Sequence, residues 1–168
     1  MSNKENSENV AERKIVTFRL AEQMFGIDMS SLLEIREWED PTPLPGVPSY
    51  VKGVTNLRGH VVPVVGLAER LGWTPSVLHS RSCILVVDIA GKHAGFLVDE
   101  VADIVSVVES EIQPAPDMEI GEEKVIAGLA QVAARGQETA DPEDREMIMI
   151  SLLDIEALGL TRHLDMVA

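Results

Sequence analysis

A chain of 168 residues, 45% hydrophobic and 25% charged, is long enough to bury a core without disulfides or metals and too apolar to stay disordered. Its net charge of −14 argues against a nucleic-acid partner, because binding a phosphate backbone depends on Lys and Arg displacing condensed counterions. Proteins or small molecules are the expected partners, and with aromatics at 4% the core has to come from Val, Ile, Leu, Met and Ala.

The first thirteen residues, "MSNKENSENVAER", are expected to be a disordered tail, and they contain no apolar stretch resembling a signal sequence. From Lys14 the pattern alternates: Val16, Phe18 and Leu20 point one way, Ile15, Thr17 and Arg19 the other. Phe25, Ile27 and Met29 repeat this after "AEQ", which predicts a hairpin with a three-residue connection. Ser31 to Glu34 has the Ser-x-x-Glu form of a capping box, so a short helical turn is expected through "SSLLEI", ended by the prolines of "DPTPLPGVP". Leu32 and Ile35 would then be core residues, with Glu34 in solvent.

Residues 51–67, "VKGVTNLRGHVVPVVGL", are two strand-like runs around Asn-Leu-Arg-Gly. Gly53 and Gly59 flank a turn in which glycine permits close backbone approach, and Asn56 tolerates left-handed geometry. Such a turn would fix Arg58, although from spacing alone that residue is a solvated arginine at a strand end. Cys83, the only cysteine, lies in "CILVV" and is expected to be a buried thiol.

The segment "ILVVDIAGKHAGFLVDEVADI" then repeats "IVTFRLAEQMFGIDMSSLLEI" at a constant offset of 69: Leu20 matches Ile89, Gly26 matches Gly95, Leu32 matches Val101, Glu34 matches Asp103 and Ile35 matches Ile104. A fixed period of this kind is a statement about fold. Each unit is too small to bury much apolar surface alone, so two all-β units are expected to curl into small barrels that pack together. "ARGQETADPEDRE", residues 134–146, is expected to be a solvated loop. Met147 and Met149 should share one face of a strand and belong to the core. The terminal "DIEALGLTRHLDMVA" is expected to be a short helix over a barrel end, with Leu158 and Leu160 serving packing or binding.

Motifs for catalysis are missing. His60, His79, His93 and His163 are scattered along the chain without metal-ligand spacing, and neither Gly-x-Ser-x-Gly nor a phosphate-binding glycine loop occurs. No catalytic residue, metal or cofactor is therefore expected. A small β-barrel enzyme or ligand-binding domain remains the rival from another class, and it would need a deep pocket with convergent polar groups.

Taken together, "FGIDMSSLLEIR", "VKGVTNLRGHVVPVVGL", "GFLVDEVADIVSV", "IQPAP" and "VIAGLA" resemble the CheW family, the adaptors of bacterial chemotaxis, from about Lys14 to about Leu160. The resemblance implies a mainly β fold: two SH3-like five-stranded β-barrels around a shared hydrophobic core, with a few short helices. The barrels are expected at about 14–80 and 81–155, with an exchange of termini between them left open, and residues 161–168 as a C-terminal tail. It further implies a non-catalytic scaffold that couples the chemoreceptor cytoplasmic signalling tip to the regulatory domain of the chemotaxis histidine kinase. The receptor would lie in a groove between the barrels and the kinase at barrel ends, with further array contacts to other CheW-like domains. Localisation would be cytoplasmic, recruited to membrane-associated arrays, without direct membrane insertion. The receptor- and kinase-binding positions carried over are Leu32, Glu34, Gly53, Asn56, Leu57, Arg58 and Gly59, with Glu34 a candidate partner for Arg58. Gly66 departs from the family, which has an aspartate there, whereas Asp154 in the second copy keeps the acid. An adaptor for pilus-driven motility is the alternative within the same class.

Overall fold

Side-chain alternation in the apolar runs resolves into ten strands among the residues that the computed structural model describes, 11–115, 125–133, 141, 143–144 and 146–158. In chain order these are β1 (Glu12–Leu20), β2 (Gln23–Asp28), a 3-10 turn (Met29–Ser31), β3 (Leu32–Glu37), β4 (Val51–Leu57), β5 (His60–Gly66) and helix α1 (Leu67–Arg70). There follow β6 (Cys83–Ile89), β7 (Lys92–Val98), β8 (Glu100–Val108), a second 3-10 turn (Glu109–Glu111), β9 (Ile126–Ala133) and β10 (Met147–Leu153).

The strands form two five-stranded sheets, ordered β8-β1-β2-β10-β9 and β3-β6-β7-β5-β4. Each contains one parallel contact, β2 with β10 and β5 with β7. The backbone bridges Thr42–Val54 and Gln113–Leu129 draw the two edges of each sheet toward one another, curling both into small barrels. The barrels do not follow the sequential halves, and residue 80 is not the boundary between them. Hairpin β1–β2 belongs with β8, β9 and β10, and hairpin β6–β7 with β3, β4 and β5. Periodicity reports which face of a hairpin is apolar; it does not report which sheet the hairpin joins.

This exchange positions a core of three layers. Ile15, Val107, Ala130, Ile150 and Leu152 fill the first barrel. Leu57, Val62, Val64, Ile84 and Val86 fill the second, with Trp38 against them. Between the barrels lies a shared core that includes Val16, Phe18, Leu20, Phe25, Leu85, Val87 and Phe96. β1 is thus buried on both faces, Ile15 inside its barrel and Val16 in the seam. The duplication extends to packing. A Cβ on Gly26 would strike Ile15, and one on Gly95 would lie 2.7 Å from Ile84, which matches Ile15 at the same offset.

Several local expectations are corrected. β1 begins at Glu12, inside the expected tail, and Arg13 donates to Asp28 across the hairpin at 2.9 Å. The β1–β2 connection is two residues long, because Leu20 opposes Gln23; Ala21 and Glu22 both have positive φ, as a type I′ turn requires. Ser31 caps no helix. Instead Asp28 accepts from Ser30 N and Oγ at 2.9 and 2.7 Å, and after one 3-10 turn the chain enters β3. Ile35 is exposed, as are Met147 and Met149, which share the outer face of β10 while Ile150 and Leu152 point inward. Cys83 is buried, and burial pushes its thiol up from the usual range. After β10 the chain turns rather than forming a helix over 155–158. Ile155 and Leu158 seal the shared core. Leu160, the tail 161–168, residues 1–10 and most of the 134–146 loop lie outside the described residues.

Candidate protein-docking site

The site is built on the rim of the second barrel. Leu57 and His60 oppose one another at the end of β4 and β5, so Arg58 and Gly59 alone form the turn, with φ of +53° and +85°. Two successive positive φ values define a type I′ turn, whose twist matches that of the strands it joins. Arg58 itself, not Asn56, takes the left-handed conformation. Asn56 plays a different part: its Oδ1 accepts from Gly59 N at 2.9 Å and braces the turn from the preceding strand.

The Arg58 side chain, 81% exposed, places Nη2 2.9 Å from Glu34 Oε2. The other Glu34 oxygen lies 3.2 Å from Nη1 of Arg36. Glu34 reaches both because of a bulge: Leu32 pairs with Val87 and Glu34 with Val86, so the strand is out of simple register at its start. Leu32 then packs at the margin of the shared core, while Glu34 and Arg36, next in alternation, form a short charged row leading to the rim. With Arg58 so exposed, the pair contributes roughly 0–1 kcal/mol to stability, so its physical effect is to orient a planar set of donors.

The seven positions carried over by resemblance therefore separate. Glu34, Asn56, Arg58 and Gly59 converge on the rim. Leu57 is buried in the second barrel. Gly53 has φ +146° at a bulge in β4, and a side chain there would collide with the Thr42 carbonyl. That contact lies beside the Thr42–Val54 bridge that closes the barrel, so Gly53 supports the site from within. Leu32 lines the seam.

Apolar surface around this rim escaped the sequence reading. Val61, Leu33 and Ile35 are 66, 50 and 45% exposed. The first barrel offers a second surface, a cleft of about 490 Å³ bordered by Met24, Ile104, Val105, Val132 and Ile148, with Asp103 among its polar residues. Asp103 and Ile104 are the repeat partners of Glu34 and Ile35. The offset of 69 thus contained the signal for this surface, once Ile35 is recognised as facing outward.

Gly66 precedes α1 without any side-chain cap, and a Cβ added there would press on the ion-paired Lys52 and Glu69 side chains. In the second copy Asp154 accepts from Glu156 N and Ala157 N at 3.1 and 3.2 Å. The two copies therefore turn the chain after equivalent strands by different means.

Residues 14–160 match the family model described as a CheW-like domain. The probable chemotaxis protein CheW of Rhizobium etli is 37% identical over 158 residues, covering 94% of each chain. The chemotaxis protein CheW of Rhizobium meliloti is 41% identical over 106 residues, covering 63% of this chain and 68% of that one. Among solved structures, the scaffolding protein TtCheW of Thermoanaerobacter tengcongensis superposes with a TM-score of 0.73 at 29% identity, covering 88% of this chain and 92% of the other. No helix among the described residues is long and apolar enough to cross a membrane.

Proposed function

The chain belongs to the family of CheW-like domains, and from that premise we propose that it links chemoreceptors to the chemotaxis histidine kinase through two separate surfaces. It is a chemotaxis adaptor: its work is to hold other proteins in register. The receptor's helical signalling tip is assigned to the seam and to the adjoining rim of Glu34 and Arg58. The kinase regulatory domain is assigned to the first-barrel cleft beside Ile104, and neighbouring CheW-like domains in an array to the apolar rim of Leu33, Ile35 and Val61.

The observation that carries this reading is Arg58, fixed by its turn, braced through Asn56 and Gly59, and leaving most of its side chain in solvent. An arginine held this way meets a carboxylate or a row of backbone carbonyls at little further entropic cost. Apolar neighbours supply affinity, and the charges set register and encounter rate.

Co-sedimentation of the full chain with a receptor signalling tip and a kinase regulatory domain tests the proposal. Ternary assembly that requires the chain is expected; binding to neither partner overturns it. Pilus-driven motility would use the same fold, and capture by the kinase of that system in preference to the chemotaxis kinase would reassign the adaptor.

A further inference from the structure

His60 and His93 are separated by 33 positions in the sequence, yet the fold brings their rings to a centroid distance of 6.0 Å in an edge-on arrangement. β5 and β7 run parallel, so His60, first in β5, and His93, second in β7, emerge at the same end of the second barrel. Both histidines are exposed on that rim. Asp88 stands directly opposite His93 on β6, which puts its carboxylate on the same face of the sheet.

Imidazole is a borderline ligand that suits Zn²⁺, Ni²⁺ and Cu²⁺. With metal–nitrogen distances of about 2.0–2.1 Å, two imidazoles on one tetrahedral ion have ring centroids about 5 Å apart. The observed spacing comes within about 1 Å of that value, a change that side-chain rotation on an exposed strand end supplies without moving the backbone. Strand ends paired in a barrel also fix the two Cα positions, so the chelate forms without ordering a loop.

We propose that His60 and His93 form a two-histidine chelate for a borderline divalent transition-metal ion, its remaining positions filled by water and its charge balanced in part by Asp88. The site takes a hydrated cation and excludes Mg²⁺ and Ca²⁺, which prefer all-oxygen coordination. It does not rest on the adaptor reading, since the ring spacing and the strand register carry it, although His60 flanks the Arg58 turn.

Titration calorimetry of the untagged full chain with Zn²⁺ or Ni²⁺ alone tests it. One saturable site is expected in the wild type. Loss of even an outer-shell partner weakens metal binding roughly 10–100-fold, so His60→Ala and His93→Ala should each weaken it at least that much, while His79→Ala leaves it unchanged. Paramagnetic broadening by Ni²⁺ in the unsubstituted chain should centre on the β4–β5 and β6–β7 turns. Wild-type binding equal to that of the double His60→Ala/His93→Ala variant, or broadening centred elsewhere, overturns the proposal.

Discussion

Glu34 of β3 and Arg58 of the β4–β5 turn are joined at 2.9 Å, although β3 and β4 are opposite edges of their sheet. The pair spans the place where the barrel curls shut. Its exposure limits its stabilising effect to about 1 kcal/mol or less, so charge reversal should spare the fold. Arg58→Glu is expected to retain the circular dichroism spectrum and to shift the denaturation midpoint little, while abolishing ternary co-sedimentation with receptor and kinase. A folded Arg58→Glu chain that still assembles both partners would exclude Arg58 from docking.

The backbone at this residue permits a sharper version. A left-handed conformation costs an L-residue roughly 1–2 kcal/mol, part of which glycine returns through its larger unfolded-state freedom. Arg58→Gly should therefore leave stability unchanged or raise it by up to about 1 kcal/mol, yet lose coupling as Arg58→Glu does. Urea denaturation beside the co-sedimentation assay separates the two effects. A clear destabilisation by Arg58→Gly would mean that the side chain supports the fold.

The repeat made much of this fold legible. Matched glycines, matched isoleucines and matched hairpins fall at one offset, and the packing of Gly26 on Ile15 and of Gly95 on Ile84 shows that they match because they meet the same neighbours. The pairing of Glu34 with Arg58 was also legible, but only through the resemblance. What misled was local chemistry overridden by tertiary structure. Ser31-x-x-Glu34 looks like a cap, yet Asp28 already bonds Ser30, and the following residues complete β3 on β6. Ile35, Met147 and Met149 looked like core because hydrophobicity alone does not distinguish the two faces of a strand in a small barrel, where one face has no covering layer. Which barrel receives a hairpin depends on contacts between residues far apart in sequence, and no single-segment pattern encodes those.

Gly53 and Gly59 have positive φ for different reasons, and the same substitution distinguishes them. Gly59 faces open space, so Gly59→Ala incurs only the left-handed backbone cost of roughly 1–2 kcal/mol. At Gly53 an added methyl meets the Thr42 carbonyl beside the bridge that closes the barrel. Gly53→Ala should lower the urea midpoint distinctly more than Gly59→Ala, and Gly53→Asp should fail to fold. Any binding loss by Gly53 variants would then be an unfolding effect, and equal midpoints for the two alanine variants would contradict this account.

Asp28 sets a pH dependence. Burial raises its carboxyl, but the hydroxyl and backbone hydrogen bonds from Ser30, together with Arg13, outweigh that and hold it below its usual value. With the folded value below the unfolded one, the unfolded chain binds the proton first as pH falls. The stabilisation is thus complete above the unfolded carboxylate range near 4 and is lost as pH drops through the folded value. Asp28→Asn should be less stable than wild type at pH 7 and show a shallower loss of stability below pH of about 4. Parallel acid limbs for the two proteins would remove Asp28 from the explanation.

Ile35 and Ile104 occupy equivalent positions in the two copies and are nearly equally exposed, at 45 and 49%. Their surroundings differ. Ile104 borders the first-barrel cleft beside Asp103, whereas Ile35 lies on the outer face of β3, where Glu34 is committed to Arg36 and Arg58. A buried charge without a partner weakens an apolar contact severely, whereas at an exposed position in the free chain it costs little. Ile104→Glu is accordingly expected to abolish binding of the kinase regulatory domain while the chain stays folded and still captures the receptor tip. Ile35→Glu should spare one-to-one kinase binding and weaken only the assembly of larger arrays. Pull-downs for the pairwise contacts, with sedimentation of reconstituted arrays for the rest, give the comparison; loss of kinase binding by Ile35→Glu with retention by Ile104→Glu would reverse the assignment of the two barrels.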